Sequence, residues 1–261
     1  MNPQYGPAKD DRRSVDKAMS ILKAFGQEAH LGIGVSELAR RTELSKSTAF
    51  RLLVMLERNG IVERAGSAYR LGRVLHDLGS HVYSPDHDDV RDALTPFLAD
   101  LYEATHHTVH LAVLHGTDVV YLNKLYGHRQ INSPSRIGGR VPAYCTAVGK
   151  VLLAHDEVAA DRTAQGRMHA WTAQTITAPT VLHEQLALVR TRGLAYDRRE
   201  SVNDLACVAT PVMGPGGRPI AALSVSGAAD RFIPARFEQV LRQVAYTASR
   251  SVILAHRAHV A

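Results

Sequence analysis

The stretch Ser45-Lys46-Ser47-Thr48-Ala49-Phe50-Arg51 gathers side chains that bind phosphates and base edges. Serine and threonine hydroxyls, with the N–H groups of a helix start, bind phosphate oxygens. An arginine forks onto guanine O6 and N7, a contact worth roughly 1–3 kcal/mol of discrimination. If a helix starts after Ser45, then Ala49, Leu52, Leu53 and Leu56 form one apolar stripe. Lys46, Ser47, Phe50 and Arg51 fall on the opposite side, and Thr48 serves either. Taken alone, Ser-Lys-Ser-Thr is also an ordinary capping segment on a solvated face.

Other reactive types are sparse. His106, His107, His110 and His115 are metal-like in number, but their spacing matches no zinc pattern, so no metal is expected. Cys145 and Cys207 have no histidine close in sequence, and a cysteine nucleophile needs a nearby base. Cys207 sits in an apolar strand pattern, where a small core residue and a redox sensor are both readings; the sensor needs a lowered thiol pKa. No P-loop, GxGxxG or nucleophile elbow occurs, and no cofactor is expected.

The elements around Ser45 decide between capping and contact. SVDKAMSILKAFG predicts a helix with Ser14 as N-cap and Val15, Ala18, Met19, Leu22 and Phe25 at spacings of three or four. Ser36 is placed as the cap of a short helix carrying Leu38 and Ala39. A break follows at Thr42-Glu43-Leu44, and the helix capped by Ser45 ends at Asn59-Gly60. Ile61–Arg64 and Tyr69–Leu71 read as a hairpin. Helix, helix, tight turn, helix and hairpin is the order of a winged helix-turn-helix, whose second helix reads the major groove. Arg40 and Arg41 flank the turn, and Arg64 and Arg70 lie on the wing. That order favours a contact surface.

Residues 73–84 continue as helix, and SPDHDD at 84–89 marks a boundary. The predicted division is a disordered leader at 1–13, a winged helix-turn-helix at 14–72, a linker helix at 73–88 and a second domain at 89–261. That domain reads α+β. A helix at 89–106 turns Leu94, Leu98 and Leu101 inward. From Thr108, Val109, Leu111 and Val113 face one way and Thr108, His110 and Ala112 the other. A partner strand, DVVYLNKLY, follows Gly116-Thr117-Asp118. Helices are expected at 146–155, 179–192 and 234–256, and strands at LAYDRRES, CVATPVMG and RPIAALSVSG. The tight turns imply an antiparallel sheet with helices on a face.

Composition fits a globular protein: 45% apolar and 21% charged residues, with a net charge of +6. Residues 1–82 hold 13 Lys+Arg against 9 Asp+Glu, and residues 83–261 hold 18 against 16. The excess is concentrated where a polyanion is expected. Two cysteines and an N-terminus without an apolar run predict a reducing, cytoplasmic setting. No run approaches the 18 or so apolar residues of a membrane span.

SVDKAMSILKAFG, VSELARRTELSKSTAFRLLVMLERNGIVER, YRLG, IGGRVPAYCTAVGKVLLA, GLAYDRRES and ACVATPVMGPGGRPIAALSVSG, in that order, resemble the IclR family of bacterial transcription regulators over about residues 14–256. The resemblance implies a winged helix-turn-helix on an operator DNA, a linker helix, and a GAF-like effector-binding domain taking a small organic acid, aliphatic or aromatic. It implies homodimers or tetramers, and a repressor as the expected role. Thr146, Ala147, Val148, Gly149, Asp197, Cys207, Ser224 and Ser226 fall on the family's effector positions. The chemistry agrees: small residues at a helix start suit an anion, and Ser224 and Ser226 share a strand face. Small residues there also suit plain helix–sheet packing. Ala147-Val148 stands where relatives often carry smaller pairs, so Val148 is expected to narrow the pocket or make it more apolar. Arg198-Arg199 after Asp197 reads as a solvated strand end or a carboxylate partner. The implied DNA contacts are Ser36, Arg41, Ser45, Lys46, Ser47, Thr48, Phe50, Arg51, Arg64 and Arg70. A redox-sensing regulator through Cys207 and a cysteine-dependent enzyme are the alternatives.

Overall fold

Apolar spacing builds the first unit of the computed structural model, which describes residues 12–26, 29, 31–80, 85–129, 131 and 133–260. Residues 1–11 of the expected leader lie outside these. Arg12 and Arg13 do not belong to a disordered leader: Arg12 donates to the Thr42 carbonyl at 2.9 Å, and Arg13 is the N-cap of α1 (Ser14–Ala24). Ser14 is therefore the first helical residue and not the cap. The buried face of α1 also differs from expectation. Ile21 and Phe25 are fully buried, whereas Val15 and Met19 are exposed. Spacings of three and four fit two adjacent stripes on so short a helix, and only contact with the next two helices selects between them.

A two-residue strand β1 (Ile33–Gly34) leads into α2 (Val35–Thr42), whose N-cap is Gly34. Ser36 thus lies inside the helix as an exposed residue, because the chain leaves β1 two residues earlier than a Ser36 cap requires. Glu43 closes α2 in the left-handed region, φ 57°, and turns the chain toward Ser45. Next come α3 (Lys46–Arg58), β2 (Val62–Ala65), β3 (Ala68–Leu71) and α4 (Arg73–Ser80). The hairpin pairs Val62 with Leu71 and Ala65 with Ala68, and β1 adds to β3 as a third strand. Ile21, Phe25, Leu38, Ala49, Leu52, Leu53, Val62 and Tyr69 form one core.

The chain divides into two units between Ser84 and Pro85. The helix α5 (Pro85–Thr105) starts four residues before the expected position, because proline is favoured in a first helical turn, where no N–H is needed. Residues 85–88 are therefore helical and belong to the second unit. Then follow β4 (Thr108–His115), β5 (Asp118–Leu125), β6 (Arg140–Pro142), α6 (Ala147–Leu153), α7 (Glu157–Gln165), α8 (Pro179–Arg192), β7 (Ala195–Arg198), β8 (Leu205–Met213), β9 (Pro219–Ala228) and α9 (Glu238–Val260). Among the described residues the sheet has six antiparallel strands in the order β6-β5-β4-β9-β8-β7.

Helices cover both sheet faces and not one. On β4 the first six residues are all buried. Ala112 packs in the core that holds Val148, Val151 and Leu152 of α6. Alternation turns Val109, Leu111 and Val113 to the opposite face, where α5 and α9 pack on the sheet. The helix α7, absent from the sequence expectation, has Asp156 as N-cap and buries Ala159, Ala160 and Thr163. Three small inward residues leave a weak apolar signature.

Candidate functional site

Two polar surfaces emerge, one in each unit. In the first, Ser45 caps α3: its Oγ accepts the Thr48 N–H at 3.2 Å. The Thr48 hydroxyl lies 2.8 Å and the Ser47 hydroxyl 3.0 Å from the same oxygen. Lys46, Phe50 and Arg51 are exposed on the outer face, and Ala49, Leu52 and Leu53 are buried on the inner. The face continues down the helix through Met55 and Arg58, which line a groove with Phe50, Arg51 and, from α1, Ser14 and Lys17. Met55 follows Arg51 by four residues, a signal present in the sequence but unused.

Four other arginines of this unit, Arg40, Arg41, Arg64 and Arg70, are paired within it. Arg41 donates to Glu37 at 2.8 Å and to the Ala24 carbonyl at 3.1 Å, bracing α2 against the end of α1. Hydrogen bonds from Arg40 and Arg41 hold the Glu37 carboxyl down to about 2. Arg70 pairs with Glu63 at 2.7 Å. Arg64 donates to the Gly66 carbonyl at 3.3 Å and lies over the Tyr69 ring. These pairs are exposed, where such contacts are weak and exchange readily.

The second surface is a face of the sheet. Register places Asp197 opposite Cys207, Cys207 opposite Ser226 and Ser226 opposite Thr108. One row further, Ser224 pairs with His110 and His110 with Lys124. Both rows point to the α6 side. The cavity between this face and α6 is lined by His110, Tyr121, Thr146, Ala147, Val148, Asp197, Ser201, Cys207 and Ser224, among others, and holds only about 10 Å³. That is room for about one water. Val148 is part of the wall.

Within it the polar atoms pair with one another. His110 Nδ1 lies 3.2 Å from Ser224 Oγ and 3.4 Å from Ser226 Oγ, and Cys207 Sγ lies 2.7 Å from Ser226 Oγ. On its other side His110 Nε2 meets Ser135 Oγ at 2.8 Å. Asp197 accepts the Glu200 N–H at 2.7 Å and the Ser201 hydroxyl at 2.5 Å. Burial pushes the Asp197 carboxyl up to about 6, against the pull of those donors. Burial, helped by the Lys124 charge, pushes His110 down to about 3, so the imidazole is neutral.

Thr146 caps α6, its Oγ1 accepting the Gly149 N–H at 3.0 Å. Gly149 is needed for a close approach: a Cβ there meets the Ala143 carbonyl oxygen at 2.1 Å. Its small size thus serves packing. Arg198 and Arg199 are exposed, with Arg198 over the Tyr196 ring, which is the solvated strand end. Behind α6, Lys150 and Glu200 form a buried ion pair at 2.6 Å.

The structure thus brings Thr146, Ala147, Val148, Asp197, Cys207 and Ser224 to one cavity. Ser226 stands behind its wall, bonded to Cys207, and Gly149 holds the helix. Sequence reasoning missed His110 as a wall residue, having weighed it only as a metal ligand, and missed Tyr121, Ser133, Ser201, Lys124 and the Lys150–Glu200 pair. Among the described residues no cluster of three histidine, cysteine or carboxylate side chains forms a metal cage. Burial drives both thiols away from reactivity: Cys207 goes well above the usual thiol range and Cys145 up to about 12. A redox sensor or nucleophile requires the reverse.

A helix-turn-helix with a wing, joined to an α+β unit that encloses a small polar cavity, defines a DNA-binding transcriptional regulator. Two family models match: the IclR helix-turn-helix domain over residues 14–66 and the bacterial transcriptional regulator IclR C-terminal domain over residues 84–252. The chain belongs to the IclR family. It is 34% identical to the HTH-type transcriptional regulator KdgR of Escherichia coli, covering 96% of this chain and 95% of that one. It is 33% identical to the HTH-type transcriptional regulator XynR of the same organism, covering 92% and 97%. The crystal structure of Thermotoga maritima IclR superposes with a TM-score of 0.77 at 32% identity, covering 92% of this chain and 98% of that one. Both Escherichia coli relatives are transcriptional regulators by name. Among the described residues no helix is long and apolar enough to cross a membrane.

Proposed function

We propose that this regulator is a repressor whose hold on an operator is set by a small organic acid in the second unit's cavity. The observation that carries the reading is the pairing of two polar surfaces of opposite character: one exposed and cationic on α3, one enclosed on the sheet face. Lys46, Ser47, Phe50 and Arg51 read the major groove, with the Ser45-capped first turn at the phosphates. Ser36, Arg41, Arg64 and Arg70 contribute only where a phosphate replaces their present partners or solvent. Thr146, Ala147, Val148, Asp197, Cys207 and Ser224 receive the acid, with Gly149 and Ser226 supporting. A homodimer, paired as a tetramer on longer sites, presents two recognition helices to half-sites about 34–36 Å apart. A small change of dimer geometry then alters affinity. The domain limits that fit this division are 14–72 for DNA, 73–84 as connector and 85–261 for the acid.

The test is a gel shift with a palindromic fragment from beside the protein's own gene. Sequence-preferring, salt-sensitive binding is the expected result. Arg51→Ala should weaken specific binding about 5- to 150-fold while leaving non-specific binding nearly unchanged. Equal loss on both DNAs would remove base readout from Arg51.

A further inference from the structure

Two lysines are buried among the described residues, and they are treated in opposite ways. Lys150 is neutralised by Glu200, with both carboxylate oxygens within 2.7 Å. Lys124 is 6% exposed, and among the described residues no carboxylate meets it. Its Nζ donates to the Ser135 carbonyl at 3.1 Å and to the Ser135 hydroxyl at 3.0 Å, and it sits 4.5 Å from the Tyr126 ring centroid. Burying a cation without an anion is unfavourable, and evolved interiors pair it.

The atom it meets instead is unusual. Ser135 Oγ stands 2.8 Å from His110 Nε2, 3.0 Å from Lys124 Nζ and 2.6 Å from Ser133 Oγ. Three polar partners, one cationic, converge on one neutral hydroxyl oxygen. That is the surrounding a carboxylate oxygen takes in a charge-assisted site. His110 and Lys124 are directly opposed across β4 and β5, and His110 also lines the cavity with Ser133 and Ser224.

We propose that Lys124 and His110 form the carboxylate anchor of the effector cavity and that the Ser135 hydroxyl occupies it as an internal stand-in until a ligand carboxylate takes its place. This rests on the reading of the cavity as the effector site. It adds which end of the ligand goes where. The acid group lies against β4 and β5, and its remaining polar groups reach toward Asp197 and Ser201, which accept and donate hydrogen bonds. Displacement of Ser135 also accounts for a cavity too small for an organic acid: the ligand enters where the serine withdraws.

Calorimetry on the full-length protein tests this with pyruvate, glycolate, acetate and benzoate beside the neutral probes glycolamide and benzamide. Wild type is expected to prefer an acid over its amide. Lys124→Met should lose about tenfold or more in acid affinity and much less in amide affinity. Lys124→Arg should keep the acid preference. Ser135→Ala, which removes the competing hydroxyl, should bind the acid several-fold more tightly. Arg198→Gln, on the exposed strand end, should change nothing. Retained gel-shift activity and thermal unfolding of each variant show that it is folded. An unchanged acid preference in folded Lys124→Met, or weaker acid binding in Ser135→Ala, would overturn the anchor while leaving the cavity reading intact. A wild type that binds no acid would overturn the cavity reading itself, and the anchor with it.

Discussion

The face of α3 and the face of the sheet carry similar residue types and use them differently. On α3, Lys46, Ser47 and Arg51 stand in water, so their chemistry is offered outward. On the sheet, His110, Ser224, Ser226 and Cys207 are buried and bonded to one another, and Asp197 is buried and bonded to Glu200 and Ser201. An exposed polar side chain adds little to stability and is free to recognise. A buried one holds the interior together, and a ligand reaches it only by replacing an internal partner. The same protein thus has one surface tuned by exposure and another tuned by closure.

The contrast breaks first at the buried ion pair. Glu200→Ala leaves Lys150 charged and buried, and a loss of about 3–5 kcal/mol is expected in urea unfolding. Lys124→Met removes a buried cation that meets no carboxylate among the described residues, so it should cost far less. Equal losses would mean that Lys124 is neutralised after all.

Acid separates His110 from Asp197. Unfolded histidine gains its proton near 6.5, whereas folded His110 resists to about 3. Its presence therefore costs stability progressively as pH falls below about 6.5, at about 1.4 kcal/mol per unit. Asp197, raised to about 6, has the opposite sign: it favours folding at low pH and loses that contribution as pH rises through 6. The two offset in wild type, with Lys124, Tyr121 and Cys207 nearby. Between pH 6.5 and 5, His110→Gln should therefore gain about 2 kcal/mol relative to wild type. Asp197→Asn should lose ground over the same range.

Much of α3 was legible because a 3.6 period sorts its residues into faces, and neither face depends on distant partners. Ser45 as cap and Leu52 and Leu53 as core needed only ten residues of context. The cavity was less so. His110 alternates with Val109 and Leu111, so its face was readable, but not that this face is covered by α6. Its neighbours Ser224 and Lys124 come from strands whose register is fixed by pairing over more than a hundred residues and by fourteen, respectively. Ser36 and Ser14 failed as caps because a residue type suited to a cap does not say where the preceding strand or loop releases the chain. Val15 and Met19 failed because α1 has two apolar stripes.

Smaller effects sharpen the exposed side. Ser45→Ala removes the cap of α3 and should destabilise the first unit by about 1 kcal/mol, read from its thermal midpoint. Tyr69→Phe should be neutral or slightly stabilising, since the buried Tyr69 hydroxyl has no hydrogen-bond partner among the described residues. A loss above about 1 kcal/mol would mean that a bound water satisfies it.

The most direct measurement is the linkage between the two surfaces. Acid affinity is titrated on the free protein and on the protein saturated with its operator, and operator affinity is titrated with and without acid. The account predicts that the acid weakens operator binding by some factor and that the operator weakens acid binding by the same factor. Acid binding that is identical with and without DNA would contradict it.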